Sequence, residues 1–514
     1  MVNKNNYSFI TTKWQMISFF GILALFALTL IVPVKVITLL FFCCLFVYSV
    51  LFPSKALTLL LIYFPARSFF VESNPSLKVF AEVIILACLI HIIWASRKQL
   101  KSLFHFHWFE LALFSFCAVG TISAFFNNVS IVAIITQLRA FLLTYAVFYV
   151  VKRLKIKKED IQWYLWTTFF VASFLAIFGI IEKISDKTWL FPVAWEYFAM
   201  SPTNGDRVYG LVKNPNVLAS FLVIALFTSY YLKNQLSGWK HKVVWIGIIL
   251  MGTTSILTYS RGTLLALAVA FGVYIVWKRP WKKMMEFASI FVASLVLAIG
   301  IVEPVTKWLA IQPEDALPPS SVPGDGEGFE EDVNAQKDRI ITTFSSDTVG
   351  ESQKGGRLWL VDMGFDIFRD YPIAGSGFAT FGDSASLVYG SPIYESYKIR
   401  EGIYSDNQYI QVIAQTGVLG VVTFGAFLLM IFSLLLKRRN EPGVEFALLL
   451  FVAVVASSVV YNTWEDKIVT LYMFGLLGVI LSLHRKEMSN PLEQKDDEQK
   501  VKRTEESLRN ASNV

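Results

Sequence analysis

Runs of apolar residues, broken by short polar stretches, recur from Gln15 to His484. The runs are continuous and do not alternate, so they predict helices and exclude the strands of a membrane β-barrel. Each is long enough to cross a hydrocarbon core of roughly 30 Å, a medium in which a helix satisfies its own backbone. The pattern predicts about fourteen transmembrane helices, at 15–32, 34–52, 56–72, 79–96, 108–127, 130–151, 161–183, 213–232, 243–259, 262–277, 285–303, 414–436, 443–461 and 467–484. Pro65 and Arg67 interrupt the third. The expected class is an all-α polytopic membrane protein. Its parts are a cytoplasmic tail (1–14), eleven helices (15–303), a large extracytoplasmic loop (304–413), three more helices (414–484) and a charged cytoplasmic tail (485–514).

Composition agrees with this pattern. The 514 residues are 55% hydrophobic and 17% charged, with mean hydropathy +0.53, where soluble chains average roughly 25% charged. A formal net charge of +7 in a soluble protein would suggest nucleic acid. Here the basic residues sit in short loops, so they set orientation and no nucleic-acid partner is expected. With the N-terminus in the cytoplasm, the basic stretches Arg97–Lys101, Lys152–Lys158, Lys278–Lys283 and Lys437–Arg439 all fall inside, in the plasma membrane of the cell. The first apolar run follows Lys4 and Lys13 as in a signal peptide, but has no small-residue cleavage site, and predicts an uncleaved first helix. Cys43, Cys44, Cys88 and Cys117 all lie in apolar runs, so neither a disulfide framework nor a metal site is expected.

Two segments then face outward, Ser185–Val212 and Glu303–Ala414. In the second, Pro313–Asp332 is rich in proline, glycine and acid and predicts disorder. It does not match a calcium loop. Arg357–Asp370 places Leu358, Val361, Phe365 and Phe368 at helical spacing, predicting an amphipathic helix that lies on the spans or on the outer membrane surface. Tyr371–Phe381 then reads as a turn. Its Gly375-Ser376-Gly377 is no nucleotide loop, because no strand precedes it and it lies outside. No internal repeat is present.

Several costly polar groups fall in the outer half. Arg139 lies within a span, where a charge costs at least ~2.5 kcal/mol at the helix centre and normally faces protein or water. Arg207 precedes Asn214-Pro215-Asn216 at the mouth of another span, Ser260-Arg261-Gly262 makes an outer turn, and Arg357 opens the amphipathic helix. Taken singly, such arginines read as interface anchors and the asparagines as helix caps. Together, four outer arginines predict an anion site, because guanidinium forks match phosphate oxygens; the natural anion here is a lipid-linked phosphate or diphosphate. A second outer cluster runs from Tyr404 through Asp406, Asn407, Tyr409 and Gln411. Asp406 is a helix-capping carboxylate or a general base toward a sugar, and Glu465 and Asp466 are rival carboxylates.

These motifs resemble the O-antigen ligase and O-antigen polymerase superfamily. The resemblance spans roughly Arg139 to Gly420 and rests on Asn214-Pro215-Asn216, Tyr259-Ser260-Arg261-Gly262, Gly356-Arg357-Leu358-Trp359, Pro372–Gly377 with Phe381, and Asn407-Gln408-Tyr409 before Gln415–Gly420. It implies a C-type glycosyltransferase fold and transfer of a glycan, without nucleotide donor, metal ion or other cofactor, from an undecaprenyl diphosphate carrier to an acceptor glycan on the outer face. It implies diphosphate binding by Arg139, Arg207, Arg261 and Arg357, support from Asn214, Asn216, Asn407, Tyr409 and Gln411, and catalysis by Asp406 with Arg261. Ligases commonly carry a histidine where this chain has Asp406. That departure favours the polymerase-like members, and among them the chain is most similar to the teichuronic acid biosynthesis protein of Gram-positive bacteria. Candidate partner proteins are a flippase and a chain-length regulator. A lipid-linked oligosaccharide flippase is itself the alternative reading, followed by a non-catalytic scaffold. The missing repeat and the large polar loop weigh against transport.

Overall fold

In a hydrocarbon medium each apolar run has only its own backbone to bond with, and each is helical in the computed structural model, which describes residues 4–190, 207–279, 281–310 and 356–489. The first helices are α1 (Lys4–Ile31), α2 (Lys35–Leu51), α3 (Pro53–Tyr63), α4 (Arg67–Ser73) and α5 (Phe80–Ala95). Next come α6 (Trp108–Phe126), α7 (Ile131–Arg153), α8 (Lys158–Ile184), α9 (Pro215–Lys233) and α10 (Gly238–Leu257). Then follow α11 (Arg261–Lys278), α12 (Trp281–Leu297) and α13 (Glu303–Ala310). The last five are α14 (Arg357–Asp370), α15 (Ser386–Tyr389), α16 (Gln408–Lys437), α17 (Val444–Ser457) and α18 (Lys467–Ser489). Among the described residues every regular element is helical. Ten helical segments are long and apolar enough to cross a membrane, and three shorter apolar helices (α2, α17 and Lys467–Leu483 of α18) accompany them. The chain is a multi-pass membrane protein. Pro313–Asp332 and the end of the C-terminal tail lie outside the described residues.

Local chemistry explains the breaks. Pro65 cannot donate a helical hydrogen bond, so α3 ends in a 3-10 turn, Phe64–Ala66, before α4 begins at Arg67. Two large apolar clusters hold the bundle, one around Phe41, Tyr63, Leu175 and Phe221, the other around Phe116, Phe148, Phe427 and Trp464. α18 packs along α7, α16 along α6, α10 against α8 and α9, and α11 against α17.

The segment expected to be the large loop differs from its expected form in two ways. First, α16 begins at Gln408, not at 414, and breaks at Gly417 (φ 57°, ψ −158°). The segment after α14 fills that break: Val418 N donates to Pro372 O at 2.9 Å, and Ser376 N and Gly377 N donate to Ala414 O and Gln415 O at 3.0 and 2.8 Å. Phe378 N reaches Gly120 O at 2.9 Å, and the Phe378 and Phe381 rings are fully buried. The expected turn is present, but it re-enters the bundle. Such backbone is tolerated because protein partners satisfy it. Gly375 (φ +72°) makes the approach possible, since a Cβ there would collide with the Gln415–Thr416 backbone.

Second, α14 has the expected bounds but buries another face. Leu360, Gly364 and Ile367 pack inward, while Leu358 and Phe365 of the expected apolar stripe are exposed. Gly364 decides this, because its missing side chain lets Ile410 of α16 and Phe381 approach closely.

Candidate functional site

The Asn-Pro-Asn element shows how one short motif fixes an arginine. Asn214 is extended and its side chain accepts from Asn216 N and Val217 N at 3.0 and 3.2 Å, capping α9, with Pro215 in the first turn where no N–H is needed. Asn214 is therefore the cap, and Asn216 is left for another task. Its Oδ1 accepts from Arg207 Nη2 at 2.6 Å and from Ser260 Oγ at 3.1 Å. Arg207 Nε donates to Thr258 O at 2.7 Å. From α8 the buried Glu182 accepts Tyr209 N and Gly210 N at 3.0 and 2.7 Å, fixing the chain just after Arg207. Ser260 caps α11 through Thr263 N, leaving the Arg261 side chain exposed at its first position. Arg207, Asn216 and the Ser260–Arg261 turn are thus one connected unit.

Across from it, Arg357 opens α14 and its Nη2 lies 3.4 Å from Asp406 Oδ2. Asp406 does not cap α16. Asn407 does, accepting Tyr409 N and Ile410 N at 3.0 and 3.1 Å. Asp406 instead sits in the left-handed region, φ +47°. Its neighbours hold it there: Ser405 N donates to Gly382 O at 2.9 Å, Ser405 Oγ to Asn462 Oδ1 at 2.9 Å, and Gln408 N to Ser458 O at 2.9 Å. A non-glycine residue in this conformation stores strain, which is common where a side chain must be aimed. Burial pushes the Asp406 carboxyl above its ordinary range, while Arg357 and then Arg207 pull it down. Arg207, Arg357 and Asp406 are therefore brought together, with Arg261 tied to them through Ser260 and Asn216.

The other expected residues take supporting places. Tyr409 Oη donates to Val455 O at 2.7 Å, and Gln411 donates to Glu465. Glu465 also accepts Gln137 Nε2 at 2.6 Å and Ser384 N at 3.0 Å, so this rival carboxylate ties the segment between α14 and α16 to α7 and α16. Asp383 accepts Ala385 N and Ser386 N at 2.8 and 2.6 Å, and burial plus the nearby Glu465 charge push its carboxyl upward. Asp466 accepts Ile468 N and Val469 N at 2.8 and 3.0 Å and caps α18. Arg139 is paired elsewhere, with Glu82 of α5 and with Lys78 O at 2.9 Å.

The sequence reading missed Glu182, Asp383, Ser384 and Gln137. A lone acid inside an apolar run, such as Glu182 or Glu82, was the available signal, since intramembrane charges carry a cost that must be met.

The site thus belongs to a membrane protein in which fixed arginines stand beside a strained carboxylate. Residues 246–425, about a third of the chain, match the family model described as O-antigen ligase. The match supports the likeness to the O-antigen ligase and polymerase superfamily. It contains Arg261, Arg357, Asp406, Asn407, Tyr409 and Gln411, and stops short of Arg139, Arg207, Asn214 and Asn216. No curated protein matches the chain.

Proposed function

We propose that this chain is a membrane glycosyltransferase that polymerises or ligates glycan repeat units from an undecaprenyl-diphosphate-linked donor on the extracytoplasmic face of the plasma membrane. The observation that carries the reading is the Arg357–Asp406 pair, held within charge range of an Arg207 locked by Asn216 and Thr258. The product is a cell-surface polysaccharide, of the teichuronic acid, capsule or O-antigen kind. Fourteen spans with both termini inside and 304–413 outside suit this reading, because the basic loops then all face the cytoplasm.

In the reaction, an acceptor hydroxyl oxygen bonds to the donor's anomeric carbon as the bond from that carbon to the diphosphate oxygen breaks. The electron pair leaves with the lipid diphosphate, and Arg207, Arg261 and Arg357 stabilise the developing charge where water is scarce. The hydroxyl proton passes to the Asp406 carboxylate, whose raised pKa makes it a better base than an exposed aspartate. Asn214, Asn216, Asn407, Tyr409 and Gln411 keep these groups in place.

The test is reconstitution in liposomes with lipid-linked repeat units, reading glycan length by gel. Longer chains from wild type and none from Arg261→Ala support the reading. Movement of unextended lipid-linked units across the bilayer, with no new glycosidic bond, would replace it with the flippase.

A further inference from the structure

Two cavities follow one another through the bundle, and the first begins beside the unit that fixes Arg207. It has a volume of about 80 Å³ and lies between α9, α11 and α17. Its polar lining is three hydroxyls, Ser220, Thr263 and Ser457. Thr263 Oγ1 is 2.9 Å from Ser260 Oγ and 3.3 Å from Ser220 Oγ. Ser260 in turn donates to Asn216, which holds Arg207, so the hydroxyl end of the cavity is continuous with the arginine unit. Beyond the hydroxyls the walls are apolar, with Ile224, Phe227, Ala270 and Leu450 among them. The second cavity, about 220 Å³, is enclosed by α3, α7, α8, α9 and α18, with Gly443 and Phe446 closing one side.

Three helices fix the order of the two. On α9, Ser220 to Phe227 line the first cavity, and Thr228 and Tyr231 line the second. On α18, Val469 lines the first, and the residues from Leu471 to Leu483 line the second. α17 runs the other way, with Ser457 to Leu449 on the first and Gly443, just before its start, on the second. Half-buried Phe446 lines both and stands where they meet. From Val469 to Leu483, α18 rises roughly 21 Å, most of a hydrocarbon core of roughly 30 Å. In the second cavity the Thr168 and Tyr472 hydroxyls bond each other at 2.9 Å, and those of Tyr164 and Thr228 bond backbone carbonyls. These groups ask nothing polar of a ligand. Gly475 leaves open space on that wall, since a Cβ there would meet no atom within 4 Å. A path that is polar only at its arginine end and apolar through the rest of its depth fits an amphiphile with an anionic head and a long hydrocarbon chain.

We propose that the two cavities hold the isoprenoid chain of the lipid-linked donor inside the bundle, its first units beneath Thr263 and its later units past Phe446 beside Gly475, and that Phe446 and Gly475 thereby make the enzyme select long chains over short ones. The proposal rests on the reading of the arginine unit as the donor's diphosphate site, and adds to it the place of the chain and a length preference. A chain too short to pass Phe446 gains contacts in the first cavity alone. The occupant is the donor's own chain because the hydroxyl lining runs directly into the arginine unit. A bilayer phospholipid entering by the same end would set its phosphate against the same arginines and compete with the donor.

The test titrates the full chain in one neutral detergent with inorganic diphosphate, geranyl diphosphate and undecaprenyl diphosphate. Partition of each ligand into micelles is the same for every protein, so a change between wild type and variant reports the cavities. Wild type should bind undecaprenyl diphosphate more tightly than geranyl diphosphate. Gly475→Leu fills the second cavity without a clash. It should weaken undecaprenyl diphosphate about tenfold, the worth of roughly two buried methylene groups, and leave the other two ligands unchanged. Ala270→Phe, in the first cavity, should weaken both prenyl ligands and spare inorganic diphosphate. Diphosphate binding with undecaprenyl affinity undiminished in Gly475→Leu overturns the chain site and leaves the donor site standing. A loss seen in detergent that vanishes in phosphatidylglycerol nanodiscs also overturns it, and would assign the cavities to bilayer acyl chains. Failure of inorganic diphosphate to bind wild type, with the length-dependent loss still present in Gly475→Leu, would sink the arginine site and leave the chain site standing.

Discussion

Asp406→Asn separates charge from shape with little collateral change. The residue sits at φ +47°, a region that asparagine tolerates at least as well as aspartate. It does not cap α16, because Asn407 supplies that cap, so no helix end is lost. Its ion pair with Arg357 is 3.4 Å long and part-exposed, and such pairs contribute at most ~1 kcal/mol. The melting temperature should therefore barely move. Activity should fall by about 10²–10⁴, the usual worth of a general base, which is about 3–5 kcal/mol of transition-state stabilisation.

The pH profile gives a second, independent reading of the same residue. Burial raises the Asp406 carboxyl above its ordinary range, so the ionised base forms only as pH rises through that raised value. The acid limb of the rate profile should lie above the normal aspartate range of about 3.9, and Asp406→Asn should remove it. The stability contribution has the opposite sense. It is fully present below the unfolded pKa, where the carboxyl is neutral in both states, and is lost as pH rises through the raised folded pKa. Reconstituted polymerisation at a series of pH values measures the first effect, and thermal melts over the same series measure the second. Full activity in Asp406→Asn, with the acid limb in place, would refute the base assignment.

Arg261→Lys should lower polymer output about ten- to hundredfold at normal protein level, because an ammonium cannot reproduce a guanidinium fork; output near wild type would make Arg261 an interface anchor. Asn216→Ala should lower activity about tenfold or more, since it removes the side chain that joins Arg207 to Ser260; the check is donor affinity, which should weaken along with the rate. In a background with all four cysteines replaced, an impermeant thiol reagent should label Ser396→Cys on intact cells and leave Ser237→Cys unlabelled; the reverse pattern would invert the orientation.

Much of the helical plan was legible in the sequence because hydrophobic continuity is a local property. The bounds of α14 and the turn before α11 were equally local, signalled by Gly355-Gly356 and by Ser260-Arg261-Gly262. What stayed hidden depends on which surfaces meet. The apolar stripe Leu358, Val361, Phe365 and Phe368 looked like the buried face of α14, yet the smallest residue, Gly364, turned the adjacent face inward by admitting Ile410 and Phe381. The Tyr371–Phe381 turn was visible, but its descent into the Gly417 break of α16 was not, because it relies on backbone partners contributed by α6 and α16. The candidate caps divided in an instructive way. Asn214 caps as its position suggests, whereas the capping place nearest Asp406 belongs to Asn407, one residue along, and that register leaves the Asp406 carboxylate available for chemistry.

The Arg357–Asp406 pair carries a further consequence for how the site works. In the proposed reaction a donor diphosphate would compete with Asp406 for the same guanidinium. When phosphate oxygens take the Arg357 fork, Asp406 loses the cation that lowers its pKa most, and its proton affinity rises. Donor binding would then produce the stronger base only when a donor is present, which suits an enzyme that must not activate water in its absence. Arg357→Gln imitates half of this change by removing the cation without supplying a donor. Its acid limb should move to higher pH than wild type, and donor affinity should fall by about tenfold or more through the lost fork. The pair is part-exposed, so the shift will be smaller than a buried pair would give. The measurement is rate against pH at limiting donor, where the profile reports the free enzyme, with the mid-point of the acid limb compared between the two proteins. A limb that stays in place or moves to lower pH would show that Arg357 does not govern the ionisation of Asp406 and would leave it the single role of holding phosphate.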